Sequence, residues 1–173
     1  MLVAYDPSWP ERFEQLAAEL RTHGDEAWTV EHIGSTAVPG LRAKPIIDLA
    51  VRIASVADLG RHRPALEARG WQIGSGVRSH PVMILTACER RVAIAHFFAA
   101  ADWETVNQRI LRDWLLGHPD DAARYERAKE SAVVAAQEGT AAYNEAKTAV
   151  IQEIVDRARA ARGLASVPVS DKA

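Results

Sequence analysis

Residues 45–53, Pro-Ile-Ile-Asp-Leu-Ala-Val-Arg-Ile, are rich in β-formers and apolar on both faces except at Asp48 and Arg52, the pattern of a strand mostly covered inside a sheet. Alternation puts Ile46, Asp48, Ala50 and Arg52 on one face and Ile47, Leu49, Val51 and Ile53 on the other. Asp48 is thus a carboxylate in apolar surroundings. Burying it without a partner would cost several kcal/mol, so it requires an arginine, backbone amides or a metal ion.

The segment before it delivers the rest of a candidate site. Trp28, Val30 and His32 alternate with Thr29, Glu31 and Ile33, which reads as a strand running into Gly34-Ser35-Thr36. Gly34 can take a positive φ, and the turn offers amides and two hydroxyls that could surround a phosphate. Lys44 adds a cation and Asp48 a metal ligand. Between the Gly-Ser turn and Lys44, Pro39-Gly40 marks a type II turn.

The remaining elements follow from spacing. Ser8-Trp9-Pro10-Glu11 has the form of a capping box, and Phe13, Leu16, Ala17 and Leu20 recur at helical intervals, predicting a helix over 9–23. Ser55 with Asp58 opens a second helix that stops at Gly70. Strands over 81–87 and 91–98 flank Glu89-Arg90 as a hairpin. After Asp102 strand signals cease, and helices are expected at 102–116, 119–137 and 140–162. The order predicts an α/β (α+β) fold, a small mixed sheet with helices on one side and a helical C-terminal third. A single domain over 1–162 and a flexible tail over 163–173 are expected.

Composition narrows the functional classes. The formal charge of −2 supplies no general field for nucleic acid, so a polyanion would need a local basic pocket, which favours a small ligand. Cys88 is the one cysteine, so neither an internal disulfide nor a multi-cysteine zinc site can form. No apolar run approaches the roughly 20 residues that cross a bilayer, and nothing resembles a signal peptide; no membrane association and a cytoplasmic location are the expectations.

Further candidates lie downstream. A one- or two-metal phosphoryl-transfer site wants a second oxygen donor near Asp48, and Glu31 or His96 could supply it, His96 suiting Zn²⁺ or Mn²⁺ better than Mg²⁺. Tyr125 precedes Lys129 by one helical turn, as Tyr143 precedes Lys147. Either pair could be solvated lysines packed on tyrosine rings, or, with Arg112, the positive wall of a pocket facing the Gly-Ser turn. His32 could bind ligand or orient the loop. The Ala-rich amphipathic helices could also form a homodimer face.

These residues together resemble the GrpB family: Tyr5-Asp6-Pro7 with Trp9-Pro10, the run from Glu31 to Val51, then His96, Arg112-Asp113, His118-Pro119, Tyr125 with Lys129, and Tyr143 with Lys147. The similarity covers about residues 3–158. It implies a nucleotidyltransferase-like fold in a family whose relatives include domains fused to dephospho-coenzyme A kinase. In nucleotidyltransferases a Gly-Ser turn holds the triphosphate and a following strand carries metal-binding acids; the matching positions are Gly34, Ser35 and Asp48. The chain departs at Ile46, where the paired acid would stand, at Ile94, where a second histidine often precedes His96, and at Leu111, where phenylalanine commonly precedes Arg-Asp.

The resulting expectation is a transferase using Mg²⁺ or Mn²⁺ on a small phosphate or nucleotide ligand. Asp48 and Glu31 would be catalytic, Asp48 and His96 would hold metal, and His32, Gly34, Ser35, Thr36, Lys44, Arg112, Tyr125, Lys129, Tyr143 and Lys147 would bind substrate. The alternative is a non-catalytic module that binds a nucleotide or phosphate ligand, which the missing second acid favours.

Overall fold

The computed structural model describes residues 1–75, 77, 79–138 and 142–169, less the side chains of 132, 134–138 and 142–147. The elements run α1 (Trp9–His23), β1 (Thr29–Ile33), β2 (Ile47–Ile53), α2 (Val56–Glu67), β3 (Trp71–Ile73), β4 (Val82–Ala87), β5 (Arg90–Ala99), α3 (Asn107–Gly117), α4 (Pro119–Glu138) and α5 (Ala142–Ala160). Single 3-10 turns lie at Ser35–Ala37 and Trp103–Thr105.

The strands form one mixed sheet in the order β1-β2-β5-β4-β3. β2 and β5 are parallel, and the other neighbours are antiparallel. Across β2, Asp48 lies opposite Ile33 on one side and Ile94 on the other, while Ala50 lies opposite Glu31 and His96. Because side chains alternate, this register puts Glu31, Asp48 and His96 on one face of the sheet.

The other face is the main core. Leu49, Val51 and Phe97 are fully buried there against Trp9, Ala17 and Leu20 of α1 and Leu59 and Leu66 of α2. Each such side chain contributes about 1.5–3 kcal/mol by leaving water. On the Asp48 face, Ala50 and Phe98 pack on Trp103 and Val106, and Val38 and Leu41 pack on Leu115, Ala122 and Ile154. Helices therefore cover both faces. The one-sided packing expected from sequence is corrected, because α1 and α2 are themselves amphipathic and take the face that the C-terminal helices leave.

Several local expectations shift for physical reasons. Ser8 makes no capping bond through its side chain; the Asp6 carboxylate accepts from the Ser8 amide instead, at 2.8 Å. The helix expected from 102 begins at Asn107, after the 3-10 turn. β3 is three residues long, too short for an alternation signal. The β4–β5 hairpin turns through Cys88 and Glu89, both at positive φ, the hand that matches strand twist. The described residues after Gly163 run back along α5: Arg159 donates to Ala165 O, and Gln152 bonds Val167 O and the Val169 amide. No helix of the described residues is long and apolar enough to cross a membrane.

Candidate functional site

The chain leaves β1 through Gly34, whose φ of 72° lies in the region that favours glycine. Space demands glycine too, since a Cβ at this position would lie 2.5 Å from Asp48 Oδ2. The turn is then braced from both faces of the sheet. Below, His32 stacks on Phe13 of α1 with ring centroids 4.8 Å apart, and its Nε2 lies 3.0 Å from Thr36 Oγ1, which donates onward to Ile46 O. Burial, joined by the Arg112 charge, pushes the His32 pKa down to about 4 despite the opposing pull of Asp48, so the ring is neutral at pH 7.

Above the turn, Ser35 meets α4. Its hydroxyl donates to Tyr125 Oη at 3.3 Å and accepts a bond from Lys129 Nζ. Lys129 also sits 5.3 Å from the centre of the Tyr125 ring, as residues one helical turn apart can. Burial raises the Tyr125 pKa, so the phenol stays protonated.

Beside Ser35 opens a cleft of about 300 Å³ in which Lys44, Arg91 and Lys129 face Asp48. Gly34, Asp48 and Tyr125 also line an adjoining pocket of about 150 Å³, together with His96, Gln108 and Arg112. Asp48 thus stands on the wall between the two spaces. Its partner in the fold is a histidine, His96, with Nε2 3.8 Å from Asp48 Oδ1. A hydrogen-bonded chain backs that histidine: His96 Nδ1 to His80 Nε2 at 2.8 Å, and His80 Nδ1 to Ser79 Oγ at 2.7 Å.

Glu31 faces the same side but is held elsewhere. Arg109 and Arg112, one turn apart on α3, reach its carboxylate at 2.8 and 2.6 Å. Burial would raise the Glu31 pKa, but the hydrogen bonds from both arginines outweigh it and hold the group below the usual range. Arg109 lies 4.1 Å over the Trp103 ring, and Arg112 also donates to His32 O. The carboxylate therefore clamps α3 to β1.

The GrpB protein family model matches residues 1–157.

The chain belongs to the GrpB family.

It is 33% identical over 163 residues to a UPF0157 protein of Halalkalibacterium halodurans, covering 92% of this chain and 82% of that one. A crystal structure of the conserved protein GrpB from Enterococcus faecalis overlays with a TM-score of 0.76 at 25% identity, covering 91% of this chain and 98% of that one. A stretch of 60 residues, 32% of this chain, is 40% identical to part of a dephospho-CoA kinase of Mycolicibacterium paratuberculosis, of which it spans 15%.

Within this GrpB chain the fold brings together Gly34, Ser35, Thr36, Lys44, Asp48, Tyr125 and Lys129 around one cleft, with His96 and Arg112 in the adjoining pocket. His32 lies outside both linings and supports the turn from beneath. The side chains of Tyr143 and Lys147 fall outside the described residues. Arg91, Gln108 and Arg109 went unread from sequence, and His80 stood there without supporting context. Arg91 has a specific reason: a bulge sets Leu85 opposite Ala93 but Thr86 opposite Arg91, so the β5 alternation slips at Val92. Arg91 then lines the cationic cleft, while Val92 lines the opposite face beside Ile47.

The donors around Asp48 bear on which ion could bind. One carboxylate and one imidazole suit Mn²⁺ better than Mg²⁺, which prefers an oxygen shell. With Nε2 as the ligand atom, His96 Nδ1–H would donate to His80, the backing that metal-binding histidines commonly have. The group of three donors within metal reach among the described residues is Asp25, Asp58 and His62, and it does not include Asp48. That group belongs to α2 and its neighbours, where Asp58 already holds Trp28 Nε1 and Arg61.

Proposed function

We propose that the cleft binds the phosphates of a small nucleotide-like ligand and that the protein transfers a phosphoryl or nucleotidyl group from it, with Asp48 and His96 holding a divalent cation. The observation that carries this reading is the convergence of three basic side chains and the Ser35 hydroxyl beside a lone strand carboxylate. It follows the Gly-Ser and acid pattern of nucleotidyltransferases that the family resemblance implies.

Each residue then has a physical task. Gly34 lets the backbone approach Asp48, Ser35 and the turn amides bind phosphate oxygens, and Lys44, Arg91 and Lys129 offset their charge. Asp48 and His96 would hold the divalent cation, which would supply positive charge against the charge that develops in transfer. Tyr125 limits how Ser35 and Lys129 can move, which keeps the donors in place before the ligand arrives.

A second reading has its own support. Glu31 is tied by two arginines, and among the described residues lining the two spaces Asp48 is the one carboxylate; a site of this kind can bind phosphate without turning it over.

Thermal unfolding against nucleotides and, given the dephospho-CoA kinase relative, coenzyme A precursors separates the two, each ligand tested with and without Mg²⁺ or Mn²⁺. A ligand at about one hundred times its dissociation constant stabilises by roughly 2.7 kcal/mol. A shift that needs the metal and vanishes in Asp48→Asn supports the transferase. A shift indifferent to metal and retained in Asp48→Asn supports the binding module, and no shift with any ligand would refute both.

A further inference from the structure

A cavity of about 500 Å³ lies on the Asp48 face of the sheet, walled by Phe98, Val106, Leu111, Val155 and Pro168. It shares Gln108 and Leu111 with the Asp48–His96 pocket, which in turn shares Gly34, Asp48 and Tyr125 with the cationic cleft. The three spaces adjoin in a row, with Asp48 and His96 in the middle. His80, buried in the segment just before β4, lines the large cavity and bonds His96 directly at 2.8 Å.

The two ends of the row are opposite in character. The cleft presents Lys44, Arg91 and Lys129, whereas among the described residues lining the large cavity there is one carboxylate, Asp102, and neither lysine nor arginine. A polyanion is stabilised at the first end and disfavoured at the second, where the described lining offers it an exposed rim carboxylate beside a largely apolar wall. The volume falls within the range of small-molecule sites, roughly 300–1,000 Å³.

We propose that the large cavity holds the second reactant: an uncharged or cationic small molecule with an apolar body, lying on Phe98, Val106 and Leu111 and presenting a hydroxyl towards Gln108, on the wall shared with the Asp48–His96 pocket. This rests on the transferase reading above. In the reaction, the hydroxyl oxygen forms a bond to a phosphorus of the ligand in the cleft. The bond from that phosphorus to the leaving phosphate breaks with its electron pair going to the leaving oxygen, and the hydroxyl proton is released to solvent.

The test uses three probes on one skeleton, 2-phenylethanol, 2-phenylethylamine and phenylacetate, with inorganic tripolyphosphate measured in parallel on the full chain by ligand-observed NMR. The alcohol and the ammonium should bind, and phenylacetate should bind about tenfold or more weakly. Asp102→Asn, a change at an exposed rim, should erase the advantage of the ammonium over the alcohol and leave tripolyphosphate affinity unchanged. Saturating tripolyphosphate should displace none of the probes. If tripolyphosphate binds but no probe does, if phenylacetate binds as well as the others, or if tripolyphosphate displaces them, the second subsite is overturned while the phosphate cleft stands. Probes that bind to a chain indifferent to tripolyphosphate would overturn the transferase reading and with it the reactant role.

Discussion

The backbone of Gly34 approaches Asp48 so closely that any side chain at 34 would collide with the Asp48 carboxylate, 2.5 Å from where its Cβ would stand. The turn and the acid are therefore one unit. Gly34→Ala should displace Asp48 and strain the backbone at a φ of 72°, destabilising the fold by about 1–3 kcal/mol and weakening tripolyphosphate binding. Gly60→Ala is the control: this helical glycine has open space around its Cβ, so the change should stabilise by about 0.4–1 kcal/mol. Urea unfolding of the two variants reads the contrast.

The Arg91 and Lys129 side chains should be separable from the fold. Neither lies in the main core, and each would make a charge-assisted contact with phosphate worth about 1.5–3 kcal/mol, roughly 10- to 100-fold in affinity. Arg91→Ala and Lys129→Met should each weaken tripolyphosphate binding to that extent and lessen its salt dependence. Calorimetric titration at two ionic strengths would decide it; undiminished affinity in both variants would remove the cleft as the anion site.

Glu31 should behave as a clamp whose loss is felt in stability. In Glu31→Gln, Arg109 and Arg112 keep their positions without a full counter-charge, and the cost should be about 1–3 kcal/mol. The carboxylate pKa is lower in the fold than its ordinary 4.5, so the clamp is complete above that value and lost as pH falls through the folded pKa. Unfolding midpoints of the wild type and Glu31→Gln should therefore converge as the pH is taken below 4.5. A parallel pair of curves would sink this account.

His32 acts in the same direction but over a higher pH range. Its pKa is about 4 in the fold and 6.5 outside it, so between those values the unfolded chain binds more protons and stability falls as pH drops. His32→Gln should flatten the stability curve from pH 6.5 to about 4 relative to the wild type. NMR titration of the His32 ring provides the direct check: protonation near 6.5 would contradict the buried stack on Phe13.

Much of the site's first half was legible because it is local. The strand over 45–53, the Gly-Ser turn and the acid all lie within one stretch whose alternation and turn chemistry are written in neighbouring residues. Tyr125 and Lys129 were readable as a pair, since helical spacing alone puts them on one face. What went unread depends on distant partners. Arg91 reaches the cleft through a one-residue slip at Val92 that period-two alternation denies. His80 matters only because the sheet brings it to His96, and Glu31 is a clamp only because α3 lays two arginines across β1. Ser8 looked like one half of a capping box, yet its own amide, which Glu11 would have taken, goes to the nearer Asp6 carboxylate.

The parallel pairing of β2 with β5 has a kinetic corollary. Asp48 and His96 meet only after the intervening helix and three-stranded meander have been laid down, and Ser35 meets Lys129 across 94 residues of chain. Contacts of such sequence separation close late, because their loop entropy must be overcome before they return any energy. A nascent chain ending before β5 would already hold the Gly-Ser turn and Asp48 but lack His96, Arg91 and Lys129. On the proposed reading, phosphate affinity would then arrive with the last helices, and ligand binding would report completed folding.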